Sequence, residues 1–207
     1  MFEKIKTSIV EYVGKLRWKT SRVLTEEEKQ TIYKMLENNY YIILTRPHGN
    51  FSSYAISAAH LFLTKFKRMG YYAHSLMNLE DTVTSSDDFR LIEAVVEGVK
   101  YSTFDEVFDQ QCSSVALLKP RCLLEQDWTA IMDKARSYLG RPYDTLYDIA
   151  RDNKLSCVEL VRNALRAETD YEKEFAHFES IIKDAKNLDP QMFYECHEFE
   201  VVYEVRH

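Results

Sequence analysis

The sequence predicts an α+β fold, in which a small, mostly antiparallel sheet is packed against helices. Short apolar runs rich in branched and aromatic residues alternate along the chain with segments of helical periodicity. The dipeptide Glu97-Gly98 separates two of these runs and is typical of the turn of a β-hairpin. The 207 residues are 45% hydrophobic and 13% aromatic. That composition can build the core of one domain and excludes a disordered chain.

The individual elements follow from local signals taken in chain order. Apolar side chains recur at helical spacing over residues 2–19, and Thr25 and Glu28 form a capping box that opens a helix to about residue 37. Later helices are predicted over 53–69, from 103, over 127–139 and over 157–167, with a last short turn after Asp189-Pro190. Strands are predicted over 40–45, 71–79, 89–96, 99–102, 114–118 and 199–205.

Charge and composition exclude several functions. The formal charge is −6, so the chain lacks a basic footprint and we expect no nucleic acid among its partners. No apolar run is long enough for the core of a signal peptide or for a membrane span. The four cysteines include no C-x-x-C pair, and a chain of this length needs no disulfides, which favours a reducing, cytoplasmic location.

Two segments stand apart in charge. Residues 1–23 hold six basic and two acidic side chains, a charge of +4, which leaves −10 for the rest of the chain. A basic amphipathic helix here would contact a membrane surface; alternatively, its apolar stripe packs on its own domain or on a second copy. Residues 168–200 carry ten acidic side chains against three lysines and predict a solvated surface.

The segment LSCVELVRNALRA, at 155–167, contains the strongest candidate nucleophile. Ser156 and Glu159 form another capping box, which makes Ser156 the N-cap and places Cys157 in the first helical turn. Unpaired backbone N–H groups and the positive end of the helix dipole lower the pKa of a thiol there and can bind an oxyanion. The alternative is that Cys157 is a small buried hydrophobic residue, as most free cysteines are.

A thiol nucleophile needs a base, and the base needs an orienting group. His74 lies inside a predicted strand, where a polar ring requires a partner. Glu93 lies among apolar residues of the next predicted strand, where an unpaired carboxylate is costly. We therefore predict that these two side chains hydrogen-bond to each other and that His74 faces Cys157.

Four segments, in this order, resemble one enzyme family. They are GYYAHSLMNL, RLIEAVVEGVKYSTFDEVF, YLGRPYDTLYD and LSCVELV. Together they resemble the NlpC-type papain-like hydrolases, in the circularly permuted YiiX/YebB-like branch, which places the histidine before the cysteine and is remotely related to lecithin retinol acyltransferase. The resemblance runs over residues 40–205, so we expect a papain-like domain at 38–207 and an N-terminal helical extension at 1–37.

The resemblance implies roles for four residues. Cys157 matches the nucleophile, His74 the general base, Glu93 the residue that orients the base, and Tyr143, in PYD, a tyrosine that shapes the oxyanion region. The implied activity is that of a cysteine hydrolase which cleaves amide or peptide bonds, such as those of cell-wall peptides, through a thioacyl-enzyme. Two alternatives stay open. One is a lipid-directed acyl hydrolase or acyltransferase whose segment 1–23 contacts a bilayer; the other is a non-catalytic binding module in which the trio is not assembled.

The sequence predicts neither a metal site nor an organic cofactor. Cys112 and Cys122 are ten residues apart, Cys196 is adjacent to His197, and no pair of cysteine or histidine residues has the short loop spacing of structural zinc sites. A P-loop and a dinucleotide-binding fingerprint are both absent from the sequence.

Overall fold

A six-stranded antiparallel sheet in the order β4-β3-β2-β1-β5-β6 organises the computed structural model. The structure describes residues 22–37, 39–47, 70–79, 90–108, 112–124, 127–144, 153–167, 170–185 and 189–207. The strands are β1 (Ile42–Pro47), β2 (His74–Asn78), β3 (Leu91–Val95), β4 (Gly98–Ser102), β5 (Cys112–Pro120) and β6 (Phe199–Arg206). The helices in these ranges are α1 (Glu26–Leu36), α2 (Phe104–Phe108), α3 (Asp127–Arg136), α4 (Cys157–Leu165), α5 (Tyr171–Glu174), α6 (Ala176–Ala185) and α7 (Gln191–Glu195).

Each strand predicted from the sequence is present, with small shifts at its ends. β2 begins at His74 rather than at residue 71, and β5 extends from Cys112 to Pro120. The helices predicted over 2–19 and 53–69 lie outside the described residues. The whole of the basic segment 1–23, apart from its last two residues, is outside them as well. In the described part of the chain, no helix is long and apolar enough to cross a membrane.

Both faces of the sheet are covered. Strand residues alternate between the faces, so Ile42, Leu44 and Met77 pack with α3, α4 and α6, whereas Ile43, Leu76 and Leu117 pack with α1 and α2. Three side chains that bury α1 and the residues before it against the second face are Leu24, Ile32 and Leu36. The residues around α1 therefore form part of the core, while the division of the chain at residue 37 stays a prediction.

The hairpin that joins β3 to β4 is fixed by a glycine. Val95 pairs with Gly98, whose φ of 110° lies in the region that side chains avoid. A Cβ on Gly98 would lie 2.6 Å from the backbone oxygen of Arg141. That close approach allows the Val99 N–H to donate a 2.8 Å hydrogen bond to the same oxygen. The hairpin is thereby attached to the segment that contains Tyr143.

The acidic segment 168–200 is not solvated throughout, so the expectation is wrong for Glu179 and Asp189, which are both buried. Glu179, on α6, is buried and accepts two hydrogen bonds from the Arg162 guanidinium, at 2.8 and 2.6 Å. The Tyr171 hydroxyl donates to the same carboxylate at 2.5 Å. A buried carboxylate is tolerated because these donors satisfy it. The network connects α4 to the two helices that follow it.

Candidate active site

The site is built on two neighbouring strands. Leu76 of β2 pairs with Glu93 of β3, so His74 lies two residues along β2 from the partner of Glu93, within reach of a diagonal side-chain contact. The His74 Nε2 atom is 2.6 Å from Glu93 Oε2. Both side chains are largely buried, at 16% and 10% exposed. The two polar residues that the sequence places inside strands therefore satisfy each other.

A serine on β4 completes the surroundings of the Glu93 carboxylate. The Ser102 hydroxyl donates a 2.5 Å hydrogen bond to Glu93 Oε1, the oxygen that His74 does not use. Burial by itself raises the pKa of Glu93. The hydrogen bonds from His74 and Ser102 and the charge of Lys100, its partner in the β3–β4 register, outweigh that effect and hold the pKa below its ordinary value. Glu93 is therefore a carboxylate at neutral pH.

Cys157 is the first residue of α4, and the capping box predicted from the sequence is present. The Ser156 N–H donates to Glu159 Oε2 at 2.8 Å, and the Glu159 N–H donates to Ser156 Oγ at 3.3 Å. The helix packs against β2 and β3, and Cys157 is only 1% exposed. A strongly apolar stripe on α4 thus fixes the thiol next to the strands that carry His74 and Glu93.

The Cys157 thiol and the His74 imidazole hydrogen-bond to each other, and each shifts the pKa of the other. Burial alone raises the pKa of the Cys157 thiol, but the hydrogen bond and positive charge of His74 outweigh it, so the pKa is lowered. Burial alone lowers the pKa of His74, but the hydrogen bonds and negative charges of Cys157 and Glu93 raise it to about 10. Both shifts favour the thiolate–imidazolium form of the pair over the form in which both groups are neutral.

Tyr143 enters the site through its backbone. It forms an isolated parallel bridge with Leu155, two residues before Cys157. The Leu155 N–H donates to the Pro142 oxygen at 3.0 Å, and the Asp144 N–H donates to the Leu155 oxygen at 3.2 Å. The PYD segment is therefore fixed alongside the chain that leads into α4. The contribution of the Tyr143 hydroxyl to an oxyanion site stays a prediction.

Sequence reasoning missed two residues of the site. Ser102 was predicted only as the end of a hairpin, although the two-residue turn fixes a register that places it diagonally across from Glu93 on the same face. Ser75, next to His74, also lies close to Cys157, and its backbone lowers the pKa of the thiol. Sequence periodicity cannot indicate the contact between Ser75 and Cys157, because that contact depends on where α4 packs against the sheet.

A buried cysteine at a helix start, a histidine on the adjacent strand and a carboxylate behind the histidine are the features of papain-like thiol hydrolases. The comparison with protein families agrees with this class. The family of permuted papain-like amidase enzymes, YaeF/YiiX, C92 family, matches residues 2–203, and the chain belongs to it. The predictions of a permuted papain-like fold and of an enzyme of the cysteine peptidase or amidase type are thereby confirmed.

A solved structure gives independent support for the fold. The chain is similar to the crystal structure of metalloprotein YiiX from Escherichia coli O157:H7, with a TM-score of 0.54 and 17% sequence identity. The similarity covers 82% of this chain and 98% of that one. No curated protein matches the sequence.

Proposed function

We propose that this protein hydrolyses an amide or peptide bond, with Cys157 as the nucleophile, His74 as the general acid and base, and Glu93 as the group that positions and charges the histidine. One observation carries the proposal: Ser102, Glu93, His74 and Cys157 form a continuous chain of hydrogen bonds that ends, at a helix start, in a thiol whose pKa is lowered. A merely structural buried cysteine has no need of an imidazolium partner with its own carboxylate.

The proposed reaction proceeds in two halves. The Cys157 thiolate attacks the amide carbonyl carbon, a carbon–sulfur bond forms, and the carbonyl electron pair moves to oxygen. The His74 imidazolium then gives its proton to the departing nitrogen as the carbon–nitrogen bond breaks, which leaves a thioacyl-enzyme and a free amine. In the second half the neutral imidazole takes a proton from water, and the hydroxyl attacks the thioester. The acid is released and the thiolate returns.

In the proposed mechanism the two nitrogens of His74 have different partners. Nε2 is engaged by Glu93, so Nδ1 is the nitrogen that remains for Cys157 and for the leaving group. Glu93 keeps the ring in that orientation and stabilises its positive charge. Because an amine is a poor leaving group unless it is protonated, an imidazolium whose pKa is raised to about 10 suits amide substrates.

The first turn of α4 supplies donors for the oxyanion. The capping box occupies the N–H groups of Ser156 and Glu159, and it leaves those of Cys157 and Val158 at the positive end of the helix dipole. These N–H groups can hydrogen-bond to the tetrahedral oxyanion in place of the water molecules that hydrogen-bond to the carbonyl oxygen in solution. The Tyr143 hydroxyl is proposed as a further donor, since the PYD backbone lies beside the residues that precede Cys157.

The substrate class is tested by comparing matched amide and ester probes. The purified chain is incubated with N-acyl aminomethylcoumarin amides, including a γ-glutamyl-linked peptide of the cell-wall type, and with p-nitrophenyl acyl esters of increasing chain length. Intact mass after rapid acid quench reports the thioacyl-enzyme. We expect release of the amide fluorophore and an acyl mass on Cys157, both lost in Cys157→Ala and in His74→Ala.

The controls separate the alternatives. Turnover confined to long-chain esters, together with lipid acyl groups retained on the protein, would indicate a lipid-directed acyl hydrolase or acyltransferase instead of an amidase. The basic segment 1–23, which suggests that alternative, lies almost wholly outside the described residues. Turnover that persists in Cys157→Ala would contradict the assignment of the nucleophile. Cys122→Ser, which alters a half-buried cysteine outside the proposed trio, should leave both readouts unchanged.

A further inference from the structure

A second group of potential ligands lies between α6 and the start of β6. His177, near the beginning of α6, meets Cys196 and His197, which precede β6. The nitrogen and sulfur atoms that these three residues offer all lie within 4.8 Å of one another, and they form the one such three-residue group found in the described part of the chain. None of the three belongs to the proposed catalytic trio.

One distance within the group matches the separation of two ligands on a metal ion. His177 Nδ1 is 3.4 Å from Cys196 Sγ. Two ligands on a tetrahedral zinc ion, with bonds of about 2.0–2.1 Å to nitrogen and about 2.3 Å to sulfur, lie roughly 3.6 Å apart. The ring of His197 is centred 4.4 Å from that of His177. Both histidines are exposed, and a nitrogen of each already lies within 4.8 Å of the sulfur.

A neighbouring carboxylate holds the group in place. Glu198 accepts hydrogen bonds from the backbone N–H groups of His177, at 2.9 Å, and Phe178, at 2.7 Å. The same side chain lies 3.1 Å from Cys196 Sγ. It therefore joins the first turn of α6 to the cysteine and places a negative charge beside the sulfur. Ligands oriented by an outer carboxylate are the usual arrangement in protein metal sites.

We propose that His177, Cys196 and His197 bind a divalent transition metal, with zinc as the ion that two imidazoles and one thiolate suit best. When the ion binds, a sulfur–metal bond forms and the Cys196 thiol proton is released to solvent. Water takes the fourth position, and Glu198 offsets the positive charge. Because the ligands come from two elements nineteen residues apart in sequence, the ion would fasten α6 to the turn before β6. A search of the sequence for closely spaced metal ligands does not find this group, because His177 is far from the other two residues in the sequence.

The metal alone is sufficient to test this proposal. Cobalt(II) is titrated into the full chain carrying Cys157→Ala, because the catalytic thiolate and His74 would otherwise compete for the ion. We expect one equivalent of cobalt to give intense visible bands of tetrahedral geometry and a near-ultraviolet sulfur-to-cobalt charge-transfer band. Zinc should displace the cobalt and raise the melting temperature. Adding Cys122→Ser should leave the spectrum unchanged.

Ligand variants decide the outcome. Cys196→Ser in the same background should abolish the charge-transfer band, and His197→Ala should weaken the affinity about tenfold or more. Cys196 is 1% exposed, so its variant risks misfolding. His177→Ala and His197→Ala change exposed side chains and decide the question if that occurs. The absence of a charge-transfer band, or a band that persists undiminished in His197→Ala, would overturn the proposal.

Discussion

The contribution of Glu93 can be measured without knowing the substrate. Glu93→Gln keeps the size of the side chain and an oxygen that can accept from Ser102, but it removes the negative charge 2.6 Å from His74 Nε2. The positive charge on His74 loses its buried counter-ion, so the pKa of the imidazolium falls toward its ordinary value and the pKa of the Cys157 thiol rises. The proton then returns from nitrogen to sulfur in a larger fraction of molecules.

The size of the effect follows from the bond that is lost. A hydrogen bond to a charged group contributes about 1.5–3 kcal/mol, and about 1.4 kcal/mol corresponds to a tenfold change in an equilibrium. Glu93→Gln should therefore lower the equilibrium constant for proton transfer from the Cys157 thiol to His74 about 10- to 100-fold. The loss is greatest on the acidic side, because the wild-type thiolate persists there and the variant thiol is protonated.

The assay is the rate of iodoacetamide alkylation of Cys157 as a function of pH, followed by peptide mass. Cys112 and Cys196 are poor competitors because burial raises the pKa of each thiol to about 12, and Cys122→Ser removes the remaining thiol. Glu97→Gln, an exposed carboxylate on the same hairpin, is the matched control and should not alter the profile. If Glu93→Gln folds normally and its alkylation profile coincides with that of the wild type, Glu93 does not charge His74 and the proposed trio fails.

Three further predictions concern the scaffold, each checked by chemical denaturation. Gly98→Ala combines a φ of 110° with a Cβ 2.6 Å from the Arg141 oxygen. It should therefore lower the free energy of unfolding by more than Gly140→Ala, where φ is 79° but the space is open and the cost is about 1–2 kcal/mol. Equal losses would contradict the close packing of the hairpin. Arg162→Met should cost about 3–5 kcal/mol by stranding the Glu179 carboxylate, and adding Glu179→Leu should recover part of it; an additive loss would refute that pairing. A chain that begins at Val23 should unfold cooperatively. A chain that begins at residue 38 should not, because it lacks the buried side chains of Leu24, Ile32 and Leu36, each of which contributes about 1.5–3 kcal/mol. A molten product from the longer chain would make residues 1–22 part of the core.

Much of the site was predictable because its signals are local. The capping box around Ser156 and Glu159 fixes the first residue of α4 as Cys157, whatever the rest of the chain does. A histidine and a glutamate inside apolar strands are anomalies that a fold must satisfy, and the nearest available partners are each other. Strand propensity and turn chemistry likewise predict the hairpin that carries Glu93.

The rest depended on tertiary packing. The order of the strands, with β1 between β2 and β5, and the position of α1 on the second face follow from which apolar surfaces meet, and a single sequence leaves that open. Glu179 looked like one solvated charge among many, because its partner Arg162 is seventeen residues away on another helix. The cluster of His177, Cys196 and His197 was missed for the same reason, since the distance between ligands in the fold bears no relation to their spacing in the sequence.

The charges of the site explain why it extends beyond three residues. A thiolate, an imidazolium and a carboxylate together carry a net charge of −1, and burying an uncompensated charge is costly. The fold answers with the Ser102 hydroxyl on one carboxylate oxygen and with the positive charge of Lys100, which faces Glu93 across the β3–β4 register. With Lys100 the group becomes neutral before substrate binds. In the proposed mechanism the oxyanion gains a negative charge as Cys157 loses its own, so the charge moves from sulfur to the first turn of α4 while the total stays constant. The N–H donors of the first turn of α4 therefore stabilise a charge that moves within the site, and the site gains no additional charge. Preorganised donors are most effective in that situation.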